Sequence, residues 1–338
     1  MRIRALLLGA CVLLFAGCAA TDPKVEGPTA TVADTAGGGG PGGGTFFSVY
    51  KLDGQPIRNG IESSRRMSYG MGANLRIARV ERQLPAGRPI RLEIVGQVAY
   101  GAPIQELFAS ARDRLYRVDG TLEVTLQAGR QYRVNGVLDE LHAEVWLEDA
   151  DGSVIGRKIT AAPSKEALRA AAVPERYTCC NLHYDSDRWV SDANWTLLPF
   201  MPAGTPIRVY EVRKDRAKAQ AQGAPVWLGI EYSAKQQTMQ QYLDKLVVDQ
   251  DPTARLAAYP ADVQEAIRAG RVMTGMTREQ VLMSLGYPSP DKTPSLERDR
   301  WAYRASDEAE FTVVWGADGR VASVEAPGVS AAVLQGAQ

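Results

Sequence analysis

The chain has 338 residues, in which 39 lysines and arginines balance 39 aspartates and glutamates, with two histidines and four cysteines. That length accommodates two or three domains, and the even charge offers no basic footprint for nucleic acid. So few histidines limit acid–base and metal chemistry. No nucleotide-binding loop, HExxH, Gly-x-Ser-x-Gly or paired-carboxylate motif occurs, and Tyr69-Gly-Met-Gly72 lacks the phosphate-binding pattern. The expectation is a protein that is not an enzyme, with no cofactor and no metal.

The N-terminus opens with Arg2 and Arg4, followed by an apolar run from Ala5 to Ala16 that ends in Gly17-Cys18. The run is shorter than the roughly 20 apolar residues a membrane span needs, and it has the length and small-residue ending of a secretory signal, residues 1–17. Phe15-Ala16-Gly17-Cys18 resembles the lipobox of bacterial lipoproteins, with Phe15 where Leu is commoner. The resemblance implies cleavage before Cys18 and lipidation of its thiol. Several acyl chains, at about 0.8 kcal/mol per buried methylene, hold a protein on a bilayer. Ala19 after the cysteine matches the outer-membrane sorting pattern, so the expected location is the outer membrane, facing the periplasm. Residues 18–45 contain Gly37 to Gly40 and Gly42 to Gly44 with few apolar side chains. That composition predicts a disordered tether, with a reach on the order of 30 Å.

Residues 46–162 read as an antiparallel β-sandwich-like domain. Alternation marks strands at Leu75–Val80, Ile90–Ile94, Leu122–Leu126 and His142–Leu147. Turn signals stand at Asp53-Gly54, Pro85-Ala-Gly87, Asp119-Gly120, Ala128-Gly129 and Asp151-Gly152. Ile104 to Arg114 breaks the pattern and predicts a short helix. Residues 163–173 read as a linker or short helix.

Residues 175–250 form a second, smaller β-rich unit. Leu197 to Tyr210 is extended around a Pro-Ala-Gly turn, Lys214 to Gln222 reads as a solvated loop or hairpin tip, and Val226 to Tyr232 returns as a strand. Met239, Tyr242, Leu243, Leu246 and Val247 then place one apolar stripe on a helix.

Residues 260–326 predict two helices and an antiparallel meander, a third unit of α+β character, with residues 327–338 a disordered tail. Thr277 and Gln280 have the spacing of a capping box, Met276 and Val281 that of a hydrophobic staple, and Gly286 that of a left-handed helix stop before Pro288. Ile267-Arg-Ala-Gly270, Gly275-Met-Thr-Arg-Glu-Gln-Val281, Leu285-Gly286, Pro288, Trp301-Ala-Tyr303 and Asp318-Gly-Arg-Val321 resemble the SmpA/OmlA lipoprotein domain. That family includes the small lipoprotein of the β-barrel assembly machinery. The resemblance covers about a fifth of the chain. It implies a fold like β-lactamase inhibitory protein, a helix pair on a small antiparallel sheet used for protein contacts. This chain departs from the family in its charged Ser289–Arg300 loop and in the long stretch between anchor and domain.

Cys179-Cys180-Asn-Leu-His183 is the densest group of reactive side chains. A metal site, a histidine-activated thiol, a pair of buried thiols and a vicinal disulfide are all open readings, although zinc sites ordinarily space their cysteines further apart. Trp189, Asp192, Trp195 and Tyr232 bring aromatics and a carboxylate into this middle unit, which suits glycan stacking or ordinary core and turn roles. The functional expectation is a lipid-anchored protein that binds envelope proteins or supports envelope integrity. The alternatives are a peptidoglycan-binding module and an inhibitor of a periplasmic hydrolase.

Overall fold

The computed structural model describes residue 22, residues 24–111 and residues 116–326. Cys18, the signal segment 1–17 and the tail 327–338 lie outside the described residues. The protein is mainly β with an α+β character, as expected. It divides into two compact units, one of residues up to Leu138 with His142–Ala162, the other of Asp139–Leu141 with residues from Pro163 onward. No helix among the described residues is long and apolar enough to cross a membrane.

The first unit contains β1 (Thr29–Ala33), β2 (Thr35–Gly38), β3 (Gly44–Leu52), β4 (Gln55–Pro56), α1 (Gly60–Met67), β5 (Glu81–Pro85) and β6 (Pro89–Ala99). It continues with α2 (Pro103–Ala111), β7 (Arg117–Thr125), β8 (Gln131–Leu138), β9 (Ala143–Asp149) and β10 (Val154–Thr160). One sheet runs β10-β9-β8-β1-β5 and the other β2-β3-β6-β7, with β4 beside β3. Inward residues of both sheets, among them Val32, Leu84, Val134 and Leu147 against Val49, Leu92, Ile94 and Leu122, form one core. The unit is therefore a sandwich, antiparallel except where β1 lies parallel to β8.

Three expectations fail here. Residues 29–45 are not a tether. Ala30 and Val32 are buried in the sandwich core, and the glycines form a hairpin in which Gly38, Gly39, Gly40 and Gly43 take positive φ, which glycine does at no steric cost. Asp119-Gly120 is not a turn, because β6 runs alongside and pairs both residues with Val95 and Ile94. Leu75–Val80 is not a strand. The Arg76 and Ala78 amides donate to the Ser68 and Ser64 hydroxyls of α1 at 2.8 Å each, so these groups are taken by a helix and not by a ladder. The helix expected from Ile104 is α2.

The second unit contains α3 (Lys165–Ala172), β11 (Arg176–Thr178), β12 (Leu182–His183), β13 (Trp189–Ser191), β14 (Phe200–Met201), β15 (Pro206–Val212), β16 (Arg216–Ala221) and β17 (Ala224–Gly229). After these come α4 (Met239–Leu246), β18 (Val247–Val248), α5 (Thr253–Ala257), α6 (Ala261–Arg268), α7 (Arg278–Leu285), β19 (Arg300–Arg304), β20 (Glu310–Trp315) and β21 (Val321–Glu325). Its six-stranded sheet runs β13-β17-β16-β15-β11-β18, with β12 and β14 paired separately. α4 buries Met239, Tyr242, Leu243 and Leu246 behind a Thr238–Gln241 capping box. Lys214 to Gln222 is a correction: it holds β16, whose buried Ala217, Ala219 and Ala221 alternate with polar residues. Alanine's small side chain makes a weak apolar signal.

The C-terminal part has the expected order, two helices followed by three antiparallel strands β19-β20-β21. Its core gathers Ile267, Met276, Val281 and Leu285 around Trp301, Tyr303, Phe311 and Trp315. Thr277 and Gln280 make the capping box in both directions. Gly286 has φ 76° and ψ −175°, a region open to glycine alone, and a Cβ there would lie 3.1 Å from the Asn194 amide nitrogen.

Residues 175–250 and 260–326, expected as separate units, belong to one compact unit. Asn181, 1 % exposed, explains why. Its side-chain amide donates to the carbonyls of Ile267 (2.7 Å) and Ser284 (2.9 Å), and its side-chain oxygen accepts from the Ala203 amide at 3.0 Å. A buried amide satisfied on every side ties the β-sheet to α6 and α7.

Candidate functional site

The structure brings Trp189, Asp192, Trp195 and Tyr232 together at one end of the second unit, and separates their roles. Asp192 is 2 % exposed. Its Oδ1 accepts from the amides of Glu231 (2.8 Å) and Tyr232 (3.1 Å), and its Oδ2 from the Ser233 amide (2.7 Å) and the Ser233 hydroxyl. With both oxygens occupied, Asp192 shapes the 231–233 turn and has no reason to meet a ligand.

That turn sets Tyr232 at the surface, 43 % exposed. The Trp195 ring meets it at 88° with centroids 5.8 Å apart, and the Arg304 guanidinium lies 4.8 Å from its centroid. Arg304 is held by Asp291 at 2.6 Å. The Trp189 indole N–H donates to Glu231 at 3.3 Å, and the Ser191 hydroxyl donates to the same carboxylate oxygen at 3.0 Å. The result is a patch of Tyr232, Trp195, Trp189, Glu231 and Arg304. Sequence reasoning missed Glu231 and Arg304. Arg304 follows Trp301-Ala-Tyr303 on β19, far along the chain from Tyr232, and no local pattern reports that approach. The guanidinium lies against the Tyr232 ring and the indole meets it edge to face.

Behind the patch lies a small cavity of about 20 Å³ lined by His183, Ser191, Asp192, Gln237 and Lys245 among others, room for a single water. The Asn194 amide gives its hydrogens to Leu285 O (2.8 Å) and Tyr287 O (2.9 Å), so its Oδ1 faces His183 Nδ1 at 3.1 Å as an acceptor. Nδ1 therefore carries the proton, and Nε2 is a bare acceptor, buried with no partner among the described residues. Burial lowers the imidazole pKa to about 4, against a smaller opposing effect of the Asn194 bond. Burial also lowers the Lys245 ammonium below its usual range. Lys245 donates to Gln237 at 2.8 Å.

Cys179 and Cys180 form a vicinal disulfide. The Cys179 amide donates to Leu246 O at 2.8 Å, and Cys180 is 1 % exposed, packed in the core of the β-sheet. Bonded sulfurs supply neither a thiolate nucleophile nor a metal ligand. No group of three or more His, Cys, Asp or Glu among the described residues is placed to hold a metal ion.

In the first unit, Glu148 is 5 % exposed on the outer face of its sheet. Burial raises its pKa, but the Trp146 indole, Arg133 and Asn135 all donate to it and hold the carboxyl below its usual range. Set beside family models, curated proteins and solved structures, the chain matches none of them.

Proposed function

We propose that this chain is a lipid-anchored, non-catalytic outer-membrane lipoprotein that binds envelope proteins. Its location rests on the Phe15–Cys18 motif and on the SmpA/OmlA-like pattern of residues 260–326. The binding reading is carried by one observation: Tyr232 stands exposed between Trp195 and Arg304. Tyr, Trp and Arg are the residue types enriched at protein interfaces, and here all three meet at one exposed ring. A photoreactive residue at position 232 tests this in intact cells, with one at the exposed Leu168 as control. The reading expects a discrete protein adduct from position 232 and none from 168. Equal labelling at both positions, or retention of the protein on purified sacculi in place of an adduct, contradicts it and favours the cell wall.

A further inference from the structure

Four of the five outer strands of the first unit are guarded against pairing, β4 by Pro56 and its two-residue length. β10 carries Arg157 and Lys158, β5 carries Glu81 and Pro85, and β7 carries Arg117, Asp119 and Glu123. Charges and proline on edges are the usual defence against a foreign strand. β2 reads Thr-Ala-Gly-Gly and carries none.

The register shows which of its groups are free. Gly39 donates to Gly43 O at 2.7 Å, so residues 35, 37 and 39 turn their backbone groups toward β3 and residues 34, 36, 38 and 40 turn theirs outward. The two ends of the outward row are pinned to the 75–80 stretch. The Asp34 amide donates to Val80 O at 2.9 Å, and Gly40 and Leu75 exchange bonds of 2.8 and 3.0 Å. Between the pins, Ala36 and Gly38 have no outward partner among the described residues, and Ile77 and Arg79 opposite them make no hydrogen bond either. The facing stretches stand apart around a cavity of about 530 Å³, lined by Asp34–Gly38, Phe46 and Ile77–Glu81. The pins are rigid. Asp34 Oδ1 accepts from the Val49 amide, and Oδ2 accepts from the Gly60 amide and from the buried Arg82. On the other side α1 holds the Arg76 and Ala78 amides through Ser68 and Ser64.

We propose that this slot takes up a short extended stretch of a partner protein, which enters between the two pins and pairs in β fashion with Ala36 and Gly38 alone. Two donors and two acceptors two residues apart match the repeat of an extended backbone. Gly37 leaves space above the edge, while Phe46 and Ile77 offer an apolar floor. Arg79 is exposed and makes no ion pair among the described residues, and Glu81 lines the slot at its Asp34 end, so the segment sets an acidic side chain against Arg79 and away from Glu81. This site belongs to the first unit, shares no residue with the Tyr232 patch and needs no lipid on Cys18, so its failure leaves those readings intact.

The test uses the full-length protein and a positional-scanning library of end-blocked octapeptides, titrated by fluorescence anisotropy. The slot predicts preference for an acidic residue within an extended, β-forming sequence. It also predicts that the best peptide slows hydrogen exchange at the Ala36 and Gly38 amides. Ala36→Pro removes one slot donor without touching a bond to β3, and proline is tolerated on an edge. It should weaken binding about tenfold or more while leaving the melting temperature unchanged. Arg79→Glu should turn the preference from acidic to basic peptides. Should Ala36→Pro not fold, the exchange measurement still decides. The proposal is overturned if no peptide binds, if a bound peptide leaves both amides exchanging as in the free protein, or if the edge proves closed by a second copy in a concentration-dependent dimer.

Discussion

At the scale of single residues, two buried groups carry costs that measurements can read. The Asp34–Arg82 pair, 2.6 Å long with side chains 3 % and 0 % exposed, is a buried ion pair in which Arg82 Nε and Nη1 have no partner among the described residues. Removing one member of such a pair strands the other. Asp34→Ala should therefore cost about 3–5 kcal/mol in denaturant unfolding, and Asp34→Ala with Arg82→Met should cost less than Asp34→Ala alone. A double variant no better than the single one would show that the charge is not what matters. His183 supplies the pH dependence. Its folded pKa of about 4 lies below the unfolded 6.5, so its contribution is complete above about pH 6.5 and drains away as pH falls toward 4. The loss reaches at most roughly 3 kcal/mol. Glu93, Glu148 and Asp291, all held below the ordinary carboxyl range, lose their share only at lower pH. Unfolding midpoints measured between pH 7.5 and 4.5 should fall for the natural protein and stay flatter for His183→Gln. Parallel curves would refute the buried neutral imidazole.

At the scale of elements, the most instructive disagreement is Leu75–Val80. Leu75, Ala78 and Val80 are buried while Arg76 and Arg79 are exposed, so the inner face changes parity between Leu75 and Ala78 and the stretch lacks the single inner face of a strand. What pairs with its amides is settled by α1, a helix whose core-facing residues are Gly60, Ile61 and Ser64 and which therefore shows almost no apolar stripe. Ser64→Ala with Ser68→Ala should leave the Arg76 and Ala78 amides unsatisfied, at about 1–3 kcal/mol each, and speed their hydrogen exchange. Unchanged protection would mean the stretch is held by its side chains alone. By contrast, α4 and α7 were legible because their signals are local: an apolar stripe in one, and the Thr277–Gln280 box with Gly286 in the other. Of the candidate site, the aromatics Trp189, Trp195 and Tyr232 stand out in the sequence by residue type. The partners that give the patch its character, Glu231 and Arg304, do not, since a strand tells nothing of which distant turn it will meet.

At the scale of the whole molecule, glycine density marks a tight hairpin and not a free chain. The run from Gly37 to Gly44 serves a hairpin, and β1, from Thr29, sits between β8 and β5 inside its sheet. Asp22 already pairs with Arg58 at 2.6 Å. On the proposed reading, an acylated Cys18 would thus hold the first unit close to the bilayer rather than at the end of a long leash. The joining of residues 175–250 with 260–326 was equally hidden, because it depends on two asparagines, Asn181 and Asn194, whose amides reach backbone carbonyls far along the chain. Lipid attachment remains the claim on which location and partner choice both depend. The most direct measurement compares the natural protein with Cys18→Ser in membrane and soluble fractions of the same cells. The account predicts that the natural protein sediments with outer membranes and that the serine variant is released. Equal membrane retention of the two would contradict it.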